Sequence, residues 1–336
     1  MKIVVSGIPR GYHFPRPDGT WLQERHREQI ESVSPGIHLV EVPPEGVRDA
    51  DLDRTEVVLA EGGNRIHYPG ELDYEDYQRL FVPSLEWVQL CSTGFSDNIN
   101  QHILDGSVTL TNAPGLHTSA IAESVIAAML EHAKRFRQRR LDQAERRWRQ
   151  RRGDELLGRT VLIVGLGRIG RRVAGLCRAF GMRVIGTRKR AEELPGIDLV
   201  FPPEELVRRI PEADYVVMAA PLTPETENML DAAGFEAMKE STYLVNVGRG
   251  GTVSEAAMLS ALRAHRIAGA YLDVFVEEPL PADHELWDMD NVFIIPHDSH
   301  SSPRIGDRMV HIFCDNLERY FRGEPLRNTC DPAAGY

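Results

Sequence analysis

Three residues, Arg249, Glu278 and His297, stand at or just past the ends of apolar, largely β-branched runs: TYLVNVG leads to Arg249, AYLDVF to Glu278, and VFIIPH ends in His297. Together these types can serve a proton-coupled reduction. A guanidinium grips a carboxylate with a forked pair of donors and polarises a neighbouring carbonyl. An imidazole gives or takes a proton near neutral pH, and a carboxylate beside it favours the imidazolium. Asp273, inside AYLDVF, belongs to the same edge. Taken singly, each has a plainer reading. Arg249 could serve a structural carboxylate, Glu278 could be a solvated loop residue before Pro279, and His297 could be a satisfied core histidine.

GLGRIG, from Gly165 to Gly170, follows the strand-like TVLIV and opens the helix-like RIGRRVAGLCRAF. That is the context in which a glycine pattern holds a dinucleotide. Gly165 would make the tight turn, Gly167 would let the backbone approach a pyrophosphate, and Gly170 would let helix and strand pack closely. Arg168 and Ile169 lie at the helix N-terminus, whose N–H groups and dipole favour phosphate. A carboxylate about 20 residues on usually holds the ribose 2′-hydroxyl. Here RVIGT runs into Arg188, Lys189 and Arg190. A guanidinium binds phosphate in a forked geometry, so the cluster points to NADP(H), with NAD(H) possible. A solvated basic turn is the alternative. With a nicotinamide in place, the Arg–Glu–His set describes hydride transfer to a 2-oxo acid.

Positioning these groups requires two domains, and 336 residues are enough for two cores. In the first hundred residues MKIVVSG, HLVEV, TEVVLAEGG and LEWVQLCSTG read as parallel strands. The stretch TSAIAESVIAAMLEHAKRF has helical spacing, with Thr118 or Ser119 as cap and Glu123 in its first turns. Further on, TVLIVG, RVIGT, YVVMAAP, TYLVNVG, AYLDVF and VFIIPH are nearly continuous apolar runs. They alternate with the helical RIGRRVAGLCRAFG, TENMLDAAGFEAMK and SEAAMLSALRAH. Strands buried on both faces between helices make a doubly wound sheet. RMVHIFCDNLERYFRG returns the chain to the first domain. The expected fold is α/β with two doubly wound, Rossmann-like domains. A dinucleotide-binding domain over 105–298 is inserted into a discontinuous substrate domain over 1–104 and 299–336.

Composition narrows the function classes. The chain is 42% hydrophobic and 26% charged, with a net charge of −11, which argues against general nucleic-acid affinity. No apolar run reaches membrane-spanning length and the N-terminus lacks a signal-peptide pattern, so no membrane partner is expected. Cys91, Cys177, Cys314 and Cys330 are widely spaced and read as reduced thiols of a cytoplasmic protein. The basic stretch 134–152 reads as the outer end of a long solvated helix, with a nucleic-acid arm as the alternative. His102, His117, His132, His265 and His311 lack catalytic context, and no spacing suggests a metal site.

The order of motifs resembles the D-isomer-specific 2-hydroxyacid dehydrogenase family. LEWVQLCSTG, TNAPGLHTSAIAESVIAAML, GLGRIG, PLTPETENML, NVGRGGTVSEAAML, LDVFVEEPLP and NLERYFRGEPLRN carry the resemblance over roughly 85–330. It implies a 2-oxo acid reductase of the glyoxylate/hydroxypyruvate kind, with Arg249, Glu278 and His297 catalytic. It also implies that Asp273 approaches the nicotinamide amide, that the backbone of Ser92, Thr93 and Gly94 holds the substrate carboxylate beside Arg249, and that the protein is a homodimer. Pro221, Thr226, Val247 and Ser299 enter as cofactor candidates and Gly63 as a substrate candidate. The apolar face Ile121, Val125, Ala128 and Met129 is expected in the dimer interface. Three departures stand out. Asp298, Ser299 and His300 follow His297 where the family often has Gly-Ser-Ala. Ser254 replaces an Asp, read as a capping change. Arg188 stands at the ribose aspartate. 3-Phosphoglycerate oxidation is the less favoured enzyme reading, since the chain ends at Tyr336. A nucleotide-sensing protein of the same fold, acting through protein partners, is the alternative class.

Overall fold

The computed structural model describes residues 1–6, 21–60, 74–93 and 98–331, leaving aside the side chains of 44 and 45. Gly63 and Gly94 lie outside the described residues. The chain forms two compact units, 1–117 with 301–336, and 118–300. Each is built on a parallel sheet.

The first unit runs β1 (Lys2–Ser6), α1 (Glu24–Glu31), β2 (His38–Val42), β3 (Thr55–Ala60), α2 (Tyr74–Arg79), β4 (Trp87–Leu90), α3 (Gln101–Leu104) and β5 (Thr109–Thr111). Its described strands take the order β2-β1-β3-β4-β5. The expected boundary after 104 moves downstream because β5 pairs in parallel with β4, from Trp87↔Thr109 to Gln89↔Thr111. That pairing keeps the segment in the first sheet.

The second unit opens with α4 (Thr118–Lys134) and α5 (Phe136–Ala144). The helix takes in Thr118 and Ser119 rather than being capped by them. The single long helix expected here is two, divided at Arg135, which takes a left-handed φ of 57°. A residue in that conformation ends an α-helix. Part of the following basic charge is internally paired: Arg151 holds Asp142 with two donors, and Arg147 lies 2.6 Å from Glu145. The apolar face of α4 is also not available to a partner. Val125, Ala128 and Met129 are buried in the core of their own unit, with Ile121 packed against it.

Then follow β6 (Thr160–Val164), α6 (Arg168–Ala179), β7 (Arg183–Thr187), β8 (Leu199–Phe201), α7 (Leu206–Arg209), β9 (Tyr215–Met218), α8 (Ala232–Ala237), β10 (Tyr243–Asn246), α9 (Glu255–Arg263), β11 (Gly269–Leu272) and β12 (Val292–Ile294). The sheet order is β12-β11-β10-β9-β6-β7-β8. The winding reverses between β6 and β9, where doubly wound sheets bind ligands beyond their carboxyl ends. The helix expected over TENMLDAAGFEAMK shortens to α8, capped by Asp231, which accepts from Gly234 N–H at 3.0 Å. Ser254 sits at the N-cap of α9, but its hydroxyl makes no capping bond, against the capping role expected of it. The chain returns to the first unit in α10 (Ile305–Phe321), whose Asp307 meets His26 of α1 at 2.8 Å.

Candidate active site

β10, β11 and β12 are neighbours in one parallel sheet, so the loops after them emerge at one edge. Asn246 ends β10 and pins the next turn. Its Oδ1 accepts from Gly248 N–H at 3.1 Å, and its Nδ2 donates to the Arg249 carbonyl at 3.4 Å. That carbonyl also accepts from Thr252 Oγ1 at 2.7 Å. A Cβ on Gly250 would lie 2.0 Å from the Phe275 carbonyl carbon, so only glycine lets the turn close onto the next loop. The Phe275 N–H in turn donates to Glu278 Oε1 at 2.9 Å. Arg249 is exposed, and its Nη1 donates to the Gly248 carbonyl at 2.8 Å.

The other Glu278 oxygen meets His297 Nδ1 at 2.7 Å. His297 takes a left-handed φ of 53°, a conformation that costs a non-glycine residue free energy and must be held by its surroundings. Burial pushes the Glu278 carboxyl up. The hydrogen bonds from His297 and Phe275 and the charges of His297 and Arg249 outweigh it, and the net shift is downward. A carboxylate only accepts, so Nδ1 carries the proton and Nε2 is the atom left to exchange one.

Asp273, directly after β11, is buried. Its Oδ1 accepts from the N–H groups of Asp298 and Ser299, each at 2.9 Å, and its Oδ2 accepts from the Ser299 hydroxyl. The Ser299 carbonyl accepts from Ser124 Oγ on α4 at 3.0 Å. Burial pushes the Asp273 carboxyl up, and these donors and the His297 charge oppose that without reversing it. An ionised carboxylate offers about four acceptor positions. Three are taken, leaving one at Oδ2.

At the switch point, Gly165 takes a φ of 100°, and a Cβ there would lie 2.7 Å from Ala220 N. A Cβ on Gly170 would lie 2.1 Å from the Gly165 carbonyl oxygen, whereas one on Gly167, the N-cap of α6, would meet nothing within 4 Å. Two glycines are thus required by packing, and the third faces open space in front of the helix N-terminus. The donors there fit a diphosphate. Arg168 is exposed and Ile169 half-buried. Thr187 ends β7 beside this turn, its carbonyl accepting from Gly165 N–H at 3.1 Å. Arg188, Lys189 and Arg190 follow, and none of them makes an ion pair among the described residues.

Thr226 Oγ1 donates to the Pro221 carbonyl at 2.6 Å and closes the loop after β9. Val247 is buried beyond β10. In the first unit, the carbonyls of Ser92 and Thr93 accept from Ala113 N–H at 2.8 Å and Asn112 Nδ2 at 2.6 Å. Among the described residues no cluster of His, Cys, Asp and Glu could hold a metal ion, and no helix is long and apolar enough to cross a membrane. Sequence reasoning did not single out Asn246, the Phe275 N–H or Ser124. Only Asn246 left a signal, a polar residue closing an otherwise apolar strand.

A model of the D-isomer specific 2-hydroxyacid dehydrogenase NAD binding domain matches residues 126–299. The chain is 34% identical over 254 residues to a glyoxylate reductase of Korarchaeum cryptofilum, covering 72% of this chain and 75% of that one. It is 34% identical over 239 residues to a D-3-phosphoglycerate dehydrogenase of Methanocaldococcus jannaschii, covering 69% of this chain but only 45% of that longer protein. The crystal structure of an NADPH-dependent glyoxylate/hydroxypyruvate reductase from Sinorhizobium meliloti, solved with NADP and sulfate, superposes with a TM-score of 0.76 at 25% identity. It covers 100% of both chains.

Proposed function

Because this chain belongs to the D-isomer specific 2-hydroxyacid dehydrogenase family, and is thereby a nicotinamide-dependent oxidoreductase, we propose that it reduces small 2-oxo acids to D-2-hydroxy acids, with NADPH preferred to NADH. The observation that carries the reading is the 2.7 Å pair of His297 Nδ1 and Glu278 Oε2, one loop from Arg249. A bound reduced nicotinamide supplies hydride to the carbonyl carbon. Arg249 binds the substrate carboxylate and polarises the carbonyl. His297 gives its Nε2 proton to the carbonyl oxygen as that oxygen gains charge, and Glu278 steadies the imidazolium until then. The net change is one hydride to carbon and one proton to oxygen.

Gly165, Gly167 and Gly170 with the N-terminus of α6 would hold the pyrophosphate, and the last acceptor position on Asp273 would take the carboxamide. Arg188, Lys189 and Arg190 would hold a 2′-phosphate, supported by their place directly after β7, whose last carbonyl accepts from Gly165 N–H. Glyoxylate and hydroxypyruvate lead the substrate candidates, since the relatives named for them match most of their own length. The proposal includes a homodimer. With the α4 face internal, Phe136, Leu141, Trp148 and Leu157, on and after α5, are among the exposed large apolar side chains that a partner copy could cover. It also includes a cytoplasmic setting, supported by four cysteines that form no disulfide among the described residues. The test is a panel of 2-oxo acids with NADPH and NADH, followed by cofactor absorbance. Absence of turnover with every acid and both cofactors would refute the reading.

A further inference from the structure

We infer that Ser299 is a positioning residue for proton transfer, acting through Asp273 on the backbone that aims His297 at Glu278. This rests on the assignment of His297 as proton donor. His297 holds a left-handed backbone, and a residue in that region stays there only where neighbours fix it. On its N-terminal side a single bond does so, His297 N–H to the Ile295 carbonyl at 2.9 Å. On its C-terminal side restraint comes through Asp298 and Ser299, and the His300 ring packs edge-on to the His297 ring at a centroid distance of 6.3 Å. Both N–H groups converge on Asp273 Oδ1, the Ser299 hydroxyl reaches Oδ2, and the Ser299 carbonyl is held by Ser124. Asp273 and Ser299 are 2% and 5% exposed, so this network works in a medium where each bond is strong and each loss is costly.

The hydroxyl is the part of the clamp that the side chain alone supplies. Any residue at 299 except proline offers the N–H. Only a hydroxyl of this length adds the third donor to Asp273, and with it the ionised form of a carboxyl that burial pushes up is better held. Loss of that donor loosens the segment after His297 and widens the range of ring orientations relative to Glu278. Geometry of proton transfer suffers while Arg249 and the glycine turn of Gly165, Gly167 and Gly170, which lie outside this network, keep their places.

The experiment has two arms on the full-length protein. In the first, proton NMR looks for the far-downfield signal of the Nδ1–H shared by His297 and Glu278, assigned by its absence from H297A and E278Q. Ser299→Ala is expected to broaden or abolish it through solvent exchange. In the second, S299A is expected to lower kcat for 2-oxo acid reduction roughly 10-fold, as loss of a bond to a charged group does, with KM for the 2-oxo acid, measured at saturating cofactor, changed less than about threefold. The double variant S299A/E278Q should lose less than the product of the single effects, because both act on one pair. S124A, on the half-exposed end of the network, also removes a hydrogen bond to Tyr271, and should shift both readouts in the same direction by less. The inference is overturned if S299A keeps the parent signal and exchange rate, if its loss lies wholly in KM, or if the two effects multiply. A signal lost in S299A while H297A keeps parent turnover would instead uphold the clamp and refute the assignment of His297 as proton donor.

Discussion

Replacing Glu278 with glutamine changes one charge and keeps an oxygen facing His297, so it isolates the electrostatic part of the dyad. Two unit charges about 4 Å apart interact by about 4 kcal/mol at an effective dielectric constant near 20. The side chains are 33% and 27% exposed, so solvent screening brings the effect down to about 1–2 kcal/mol. One pH unit corresponds to about 1.4 kcal/mol. Reduction needs the imidazolium, so its rate is full at low pH and falls as pH rises through the titration of the dyad. Without the carboxylate that fall comes earlier, and E278Q should move the limb to lower pH. Oxidation of the hydroxy acid needs the neutral ring and should show the opposite limb, moved the same way. His297→Ala should cut turnover on the order of 10²- to 10⁴-fold while cofactor binding, measured by fluorescence titration, holds. A limb that stays put or moves up in E278Q, or near-parent turnover in H297A, would refute the assigned roles.

Other substitutions test the cofactor site and the fold. Arg188→Asp should lower kcat/KM for NADPH on the order of 10- to 100-fold, the worth of a charge-assisted bond to phosphate, and spare or improve NADH; equal use of both cofactors, unchanged by the substitution, would contradict the phosphate reading. Gly165→Ala places a side chain at a φ of 100° and 2.7 Å from Ala220 N, so its thermal midpoint should fall, whereas Gly167→Ala meets nothing and should melt like the parent while binding dinucleotide more weakly; equal melting of the two would sink this division. His132 is held near a pKa of about 4 by burial and by Arg135, against an ordinary value of 6.5. Its folded form therefore loses up to about 3 kcal/mol relative to the unfolded chain as pH falls from 6.5 to 4. Denaturant titrations of His132→Phe should lack that part of the acid loss.

Legibility in the sequence followed the range of the interactions. β6, β9, β10 and β11 were readable because a parallel strand covered on both faces needs continuous β-branched residues. β8, with LVF, and β5, with TLT, are too short to carry a pattern, and pairing with β7 and β4 makes them strands. The break at Arg135 left no trace because neither glycine nor proline marks it. The glycines of GLGRIG announced their turn, since φ and close approach are properties of the residue itself. The contacts of Asp273 with Ser299 join positions 26 residues apart, and nothing local to either predicts them. The α4 face was misassigned for a related reason. An apolar stripe states that it is buried, not against what, and here the covering is the unit's own α6 and sheet.

Burial pushes two titratable groups of the second unit toward their neutral forms, and where they stand bears on how activity depends on acid. Asp273 is given three donors and sits at the carboxyl edge of the sheet with the loops that carry Arg249, Glu278 and His297. His132 stacks on Tyr243 at a centroid distance of 4.3 Å near Arg135, and burial disfavours its charged form. Glu278 is shifted downward, so it stays ionised through the range in which His132 is starting to destabilise the fold. Acid therefore reaches the stability of the unit before it reaches the dyad. The loss of reduction in acid should follow destabilisation of the unit before protonation of Glu278. His132→Phe separates the two causes, because it removes one and touches nothing in the other. If stability sets the acid limb, this variant keeps turnover to lower pH than the parent. If Glu278 sets it, parent and variant fall together.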